Sequence, residues 1–390
     1  MTAGLIALIF SAVSLLGAEP SKTPANLGAL LVYFGTYTGP KSKGIYVSRL
    51  DLASGKLTPP ELAAEIASPS FLAVHPSSRF LYAVNEVGNF GGQKSGAASA
   101  FAVDAGTGKL TLLNQESSGG DGPCHLNVDR SGKDLLVANY GGGSCALLPI
   151  QNDGRLAKAT DFIQHHGSSV DKARQEGPHA HGAYFDAQNH FAFVPDLGQD
   201  KVMIYKFDPA HGSLLANDPA FASVAPGSGP RHLAFHPAGK YAYVISEMLC
   251  TITAFTYDPD HGRLESFQTV STLPSGQPVL PAYSTAEIEM HPSGKFLYGS
   301  NRGHNSIAVF AIERKTGKLS LVQHQSTQGK TPRGFGIDPT GKFLLAANQD
   351  SDNVVVFRID ATTGRLTPAG QQVQVGSPVC VKFLAPAGGR

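Results

Sequence analysis

The stretch GPRHLAFHPAGKYAYVISE, residues 229–247, splits into two short apolar runs around His-Pro-Ala-Gly-Lys. Proline and glycine punctuate regular structure, so it predicts two antiparallel strands, A and B, joined by a tight turn. The unit returns as SPSFLAVHPSSRFLYAVNE (68–86), GPCHLNVDRSGKDLLVANY (122–140), GPHAHGAYFDAQNHFAFVPD (177–196), STAEIEMHPSGKFLYGSNR (284–302) and TPRGFGIDPTGKFLLAANQ (331–349). A spacing of about 46 to 55 residues is the signature of a repeat architecture. Between the copies lies a second marker: LASGKLT, AGTGKLT, QNDGRLA, PAHGSLL, PDHGRLE, RKTGKLS and ATTGRLT. Alternating runs such as GIYVSRL and SIAVFAI precede it, and its glycine supplies the positive φ of a hairpin turn. Each repeat therefore reads as four antiparallel strands, A to D, which is a propeller blade.

The hairpin marker occurs seven times but complete A–B pairs only six. The chain ends supply the missing pair. LVYFGTYTG (31–39) has the B pattern without an A strand, and SPVCVKFLAP (377–386) has the A pattern without a B strand. Joining them closes the ring and removes open sheet edges. The expectation is an all-β, seven-bladed β-propeller over residues 28–386, four antiparallel strands per blade, with one blade closed by both termini. A linear β-solenoid is the alternative, and the complementary half-blades argue against it.

Charged residues make up 16% of the 390 and the formal net charge is +1, so neither nucleic acid nor an anionic membrane surface is an expected partner. MTAGLIALIFSAVSLLGAEP carries an apolar run from Leu5 to Leu16, too short to span a bilayer comfortably and shaped like a signal peptide. A positive N-terminal region is missing. Residues 1–18 are read as a leader, cleaved near Ala18, and the protein as exported to the periplasm or beyond; a buried element is the alternative. No other segment reads as membrane-spanning. Cys124, Cys145, Cys250 and Cys380 show no CxxC spacing and read as small buried residues, with a Cys124–Cys145 bridge open but not favoured. A monomer is expected.

Alternating strand direction puts the short A–B and C–D turns on one face. The other face carries B–C and D–A connections of unequal length: VGNFGGQKSG after Glu86, HHGSSVDKARQEG before Pro178 and LPSGQPVLPAYS before Thr285. Long, dissimilar loops on a rigid scaffold are where sites usually lie. Two positions per blade project there. The start of strand A gives Ser70, Cys124, His179, Arg231, Ala286, Arg333 and Val379; the end of strand B gives Tyr37, Glu86, Tyr140, Asp196, Glu247, Arg302 and Gln349. Strand A is innermost in a propeller, so His179, Arg231, Arg333, Arg302, Glu247 and Glu86 should surround one funnel. His181 should lie deeper on the side of His179, because alternate residues of a strand share a face.

That set suits an anionic substrate requiring acid–base help. Solvated rim charges for Arg302, Arg333 and Glu86, and a plain ion pair of Glu247 with Arg231, are the plainer readings. His75, His236 and His291 read as turn residues, because Asp129, Asp186 and Asp338 take the same slot. His179 and His181 also have a two-ligand metal spacing, with His125, His232 or Glu247 as a third. The arginines would oppose a dication, so no metal is expected. His179 is the candidate for proton transfer, and His181 for orienting it or packing beneath.

The chain from about Leu31 to Phe383 resembles the lactonase family of seven-bladed propellers. That family includes propeller-type bacterial 6-phosphogluconolactonases and the fungal carboxy-muconate lactonising enzyme. The resemblance rests on GTYTG, GPHAH, GSGPRHLAFHPAGKYAYVISE, AEIEMHPSGKFLYGSNRGHNSI, TPRGFGIDPTGKFLLAANQDSDNVVVF and the Thr-Gly-Lys-Leu turns. It implies His179, Arg231, Glu247 and Arg302 as site residues and no required cofactor. ISEMLC, where related sequences often read Asn-Glu-Leu, and the leader are departures.

The expected reaction is hydrolysis of a sugar lactone such as 6-phosphogluconolactone, with Glu247 or His179 as general base. Arg231 and Arg302 would stabilise the oxyanion or hold an acidic group. Arg333 would contribute to phosphate binding, and His181 and Glu86 complete the substrate-binding set. No Gly-x-Ser-x-Gly motif points to a serine nucleophile. Export would favour an unphosphorylated aldonolactone. A cycloisomerase acting on a muconate-like diacid and a non-catalytic binding propeller are the competing readings.

Overall fold

The computed structural model describes residues 28–385; the expected leader and Pro386 lie outside the described residues. Within them, the strands form seven four-stranded antiparallel sheets. Blades 2 to 7 begin with innermost strands Leu72–Val74, Pro123–Val128, Tyr184–Phe185, Pro230–Phe235, Ser284–Met290 and Pro332–Ile337, each followed by its B, C and D strands in order. Blade 1 takes its innermost strand, Pro378–Leu384, from the C-terminal end and the other three from the N-terminal end. Leu31 pairs with Leu384 and Gly35 with Cys380, which closes the ring as the half-blade patterns predict.

The B strands are mostly apolar up to a polar last residue because both of their faces are covered by neighbouring blades. Phe80–Asn85, Phe191–Asp196 and Phe343–Asn348 are buried at every position, whereas the outermost Leu110–Ser117 is largely half-buried or exposed. Adjacent blades are also latched by polar groups. The buried tyrosines Tyr33, Tyr82, Tyr243 and Tyr298 donate to the carbonyls of Gly108, Gly154, Gly317 and Gly364 in the C–D turn of the next blade. The glycine of that turn is required twice over: Gly364 has φ +72°, and a Cβ there would lie 2.5 Å from the Phe296 ring.

The turn histidines have the same architectural use. His75, His236 and His291 each place Nε2 2.9 Å from the carbonyl oxygen of Gly132, Gly294 or Gly341 in the next A–B turn. Where aspartate replaces them, the carboxylate caps its own turn, as Asp338 does by accepting from the Lys342 and Phe343 amides. All four cysteines are buried and free, so the Cys124–Cys145 bridge does not form.

Candidate active site

The functional face is prepared by backbone irregularity. Strand pairing slips just after the proline that opens strand A, between Pro123 and His125, Pro230 and His232, and Pro332 and Gly334. Cys124, Arg231 and Arg333 are therefore the extra residues of β-bulges, which re-aim side chains out of the regular pleat. The preceding residue is left-handed, with φ of +57° at Gly122, +66° at Gly229 and +59° at Thr331. Glycine takes that conformation without strain, which accounts for the recurrent Gly-Pro.

A cavity of about 330 Å³ opens on this face, its wall including Glu86, His181, Glu247, Arg302 and Arg333. Glu247 is the electrostatic centre. Its Oε1 accepts from Arg174 Nη2 at 2.7 Å, and its Oε2 lies 2.8 Å from Arg302 Nη2 and 3.2 Å from Arg231 Nε. The Arg231 contact is close enough to attract but too misaligned for a hydrogen bond, leaving Arg231 Nε, like Arg302 Nε, unpaired and buried. Burial alone would raise the Glu247 pKa; Arg302, Arg231 and Arg174 outweigh it and hold the group down at about 2. Arg302 is lowered to about 10 by burial, and Arg231 is lowered by burial and by the like charge of Arg333.

Arg333 sits over the Tyr37 ring, 5.4 Å from its centroid, and its guanidinium makes no hydrogen bond among the described residues. Burial disfavours its charge, but Tyr37, Glu86 and Glu247 more than restore it. The Glu86 carboxylate accepts from Tyr37 at 3.0 and 2.9 Å and from Ser70. Four guanidinium groups thus meet two carboxylates, a surplus of two positive charges suited to an anionic ligand.

His179 and His181 both lie against the Tyr140 ring, at 4.7 and 5.3 Å between centroids, with His181 the more deeply buried. The strand proper starts only at Tyr184, with an isolated bridge between Ala180 and Asp196 before it, flanked by backbone bonds from the His181 amide to Pro195 and from the Leu197 amide to His179. The Asp196 side chain adds to this pairing by accepting from the backbone amides of His179 and Gly198. His179 is stacked on Tyr140, with Nδ1 3.0 Å from the Tyr140 carbonyl oxygen and Nε2 3.3 Å from the exposed Glu176; it is not part of the cavity wall. His181 is, with Nδ1 3.6 Å from Cys124 Sγ. Burial, then Arg231, His232 and Arg333, hold its pKa well below the usual histidine range, so its ring is neutral. Among the described residues no cluster of three His, Cys, Asp or Glu side chains is arranged to hold a metal ion.

The family model for "Lactonase, 7-bladed beta-propeller" matches residues 31–383. The chain belongs to the lactonase family of seven-bladed β-propellers. A 6-phosphogluconolactonase of Bacillus subtilis is 38% identical over 352 residues, covering 90% of this chain and 97% of the relative. A 6-phosphogluconolactonase of Formosa agariphila is 36% identical, covering 79% of this chain and 86% of that one. Among solved structures, the periplasmic gluconolactonase of Pseudomonas aeruginosa superposes with a TM-score of 0.86 at 35% identity, covering 92% of this chain and 99% of the neighbour.

In this lactonase-family propeller Glu86, His181, Glu247, Arg302 and Arg333 share one cavity. Arg231 reaches it through Glu247 and a narrow adjoining void of about 10 Å³, while His179 stands outside the wall on Tyr140. Repeat pattern does not reveal Arg174. It sits in the loop before Pro178, has no counterpart in other repeats, and its only sequence signal is a charge within a long functional-face connection. Neither do the strand-start positions include His232 and Glu287, which lie one residue further along, after Arg231 and Ala286.

Proposed function

We propose that this protein hydrolyses a sugar lactone to the open hydroxy acid in the cavity centred on Glu247. The observation that carries the reading is the convergence of Arg174, Arg302 and Arg333 on one cavity wall beside the neutral imidazole of His181. As water adds to the lactone carbonyl its oxygen gains negative charge, and fixed guanidinium donors stabilise that charge without reorienting. A carboxylate with a pKa near 2 is a weak proton acceptor, so Glu247 is assigned to holding Arg174, Arg231 and Arg302 in register. His181 is assigned the proton: among the described residues no partner engages its Nε2, which can take a proton from water as the new C–O bond forms. The same ring returns it to the ring oxygen as the acyl C–O bond breaks, and the acid formed gives its proton to solvent. This replaces His179 as the expected base and leaves it a supporting contact for Tyr140. Arg333, with its unpaired fork, is assigned to an acidic substituent such as a 6-phosphate, with Glu86 and Tyr37 fixing its place.

The relatives' names cover both phosphorylated and unphosphorylated gluconolactones, and the leader favours action outside the cytoplasm, as does the periplasmic neighbour. We read the protein as exported and acting on a small lactone; sequencing its mature N-terminus checks the first point, and an intact Met1 in the envelope fraction refutes cleavage. The function is tested by following acid release in a pH-stat with glucono-δ-lactone and with 6-phosphogluconolactone, identifying products by NMR. Ring opening well above the spontaneous rate on at least one is expected. A folded protein that accelerates neither overturns the reading, and ring closure of a muconate-like diacid without water uptake makes it a cycloisomerase instead.

A further inference from the structure

The channel is crossed below the cavity by a layer of rings. Phe71 lies 4.0 Å from His125, and His125 4.9 Å from His232, between ring centroids. Within that layer a chain of contacts ends on Arg231. Glu287, on the innermost strand of blade 6, brings Oε1 to 2.7 Å from His232 Nδ1 and also accepts from the Ile288 amide at 3.0 Å. Arg231 Nη1 lies 3.4 Å from His232 Nδ1 and 3.2 Å from its Nε2, nearly equidistant, which puts it over the face of the ring, and it donates to the Ala286 carbonyl at 2.6 Å. All three side chains are nearly fully buried.

The hydrogen bond from Glu287 fixes the plane of the His232 ring, and the π face of that ring meets the guanidinium. We infer that His232 and Glu287 are positioning residues for Arg231: the Glu287–His232 hydrogen bond sets the ring face that, with the Ala286 carbonyl, fixes the guanidinium against Glu247. A ring face, a carbonyl and a carboxylate from blades 5 and 6 hold one guanidinium group, so its donors reach the developing charge already oriented, and orientation rather than affinity is what the pair supplies.

The inference rests on the lactone-hydrolysis reading, and the experiment separates the two. Steady-state kcat and KM on the lactone that wild type opens are measured for His232→Leu, His232→Phe and Glu287→Ala, with melting curves for each. His232→Leu removes the ring face and should lower kcat about 10- to 100-fold while KM moves less than about twofold. His232→Phe restores a flat ring beneath the guanidinium and should recover part of that loss. A folded His232→Leu enzyme with wild-type kcat, or a His232→Phe enzyme as slow as His232→Leu, overturns the positioning role. If His232→Leu does not fold, Glu287→Ala decides: it frees the plane of the ring, so kcat should fall about tenfold at steady KM, and an unchanged kcat overturns the inference. Failure of wild type to open any lactone counts against the function itself and leaves the chain of contacts to be judged separately.

Discussion

Glu247, just past the end of strand Tyr241–Ser246, and Arg302, the last residue of strand Phe296–Arg302, join two neighbouring blades by an Oε2–Nη2 contact of 2.8 Å. The same carboxylate answers Arg174 and Arg231, so one negative charge keeps three guanidinium groups from repelling one another in a buried setting. Removing it should cost stability as well as activity. Glu247→Gln is expected to destabilise the protein at pH 7 by about 3–5 kcal/mol, the usual penalty for stranding one side of a buried ion pair.

The depressed pKa gives that stability a pH signature. An unfolded Glu247 protonates near 4.5, whereas the folded one stays ionised to about 2. Its contribution is complete above the unfolded value and is lost as pH falls through that window. Urea midpoints of wild type and Glu247→Gln between pH 7 and 3 should converge toward the acid end. Parallel curves would show that the carboxylate is not held as described.

Arg174 is the one guanidinium of the set with substantial solvent access, 42% of its side chain, and it comes from a loop rather than a strand. Its loss should leave the scaffold intact and loosen substrate binding. Arg174→Ala is expected to raise KM about tenfold, with a smaller fall in kcat and a melting temperature within a few degrees of wild type. A large drop in melting temperature would reassign the residue to structure.

Why some of this was legible before any coordinates and some was not comes down to periodicity. Gly364 and its counterparts announced the C–D turns because only glycine tolerates both the positive φ and the ring packed against it. Arg231 and Arg333 were legible because each directly follows the proline that opens strand A, after a residue in the left-handed region, Gly229 or Thr331. His179 and His181 keep to one side, both rings against Tyr140 with His181 the deeper, but the two-residue spacing alone does not say that the cavity wall takes only the second. Arg174 escaped because a loop unique to one blade has no repeat partner to flag it, and the Glu287–His232 pair because it joins two different blades.

The tyrosine–glycine latches predict an effect confined to the scaffold. Tyr298→Phe removes the hydroxyl that donates to the Gly364 carbonyl at 2.8 Å and should cost about 1–2 kcal/mol. Gly364→Ala both strains the turn and drives a Cβ into Phe296, so a larger loss of about 2–4 kcal/mol is expected. Lactone-opening rates per folded molecule should be unchanged in both, because the latch lies at the opposite end of the blade from the cavity. Chemical denaturation and active-site kinetics on the same samples check the two halves.

His181 carries the sharpest test of the assigned chemistry. Its pKa is held well below the usual histidine range by burial and by Arg231, His232 and Arg333, so the ring should be neutral and able to accept a proton throughout the neutral range. If it is the base, kcat/KM stays level across neutral pH and declines only as acid charges the ring, with the falling limb below pH 6.5. His181→Gln keeps the hydrogen bonding but cannot accept the proton; kcat should fall about 100-fold or more and the acid limb should vanish. His179→Gln, at the back of Tyr140, should retain the limb and lose far less. Should the His179 variant instead lose both rate and limb while the His181 variant keeps them, the proton belongs to the ring outside the cavity wall, and the loop carrying Glu176 has to rearrange when substrate binds.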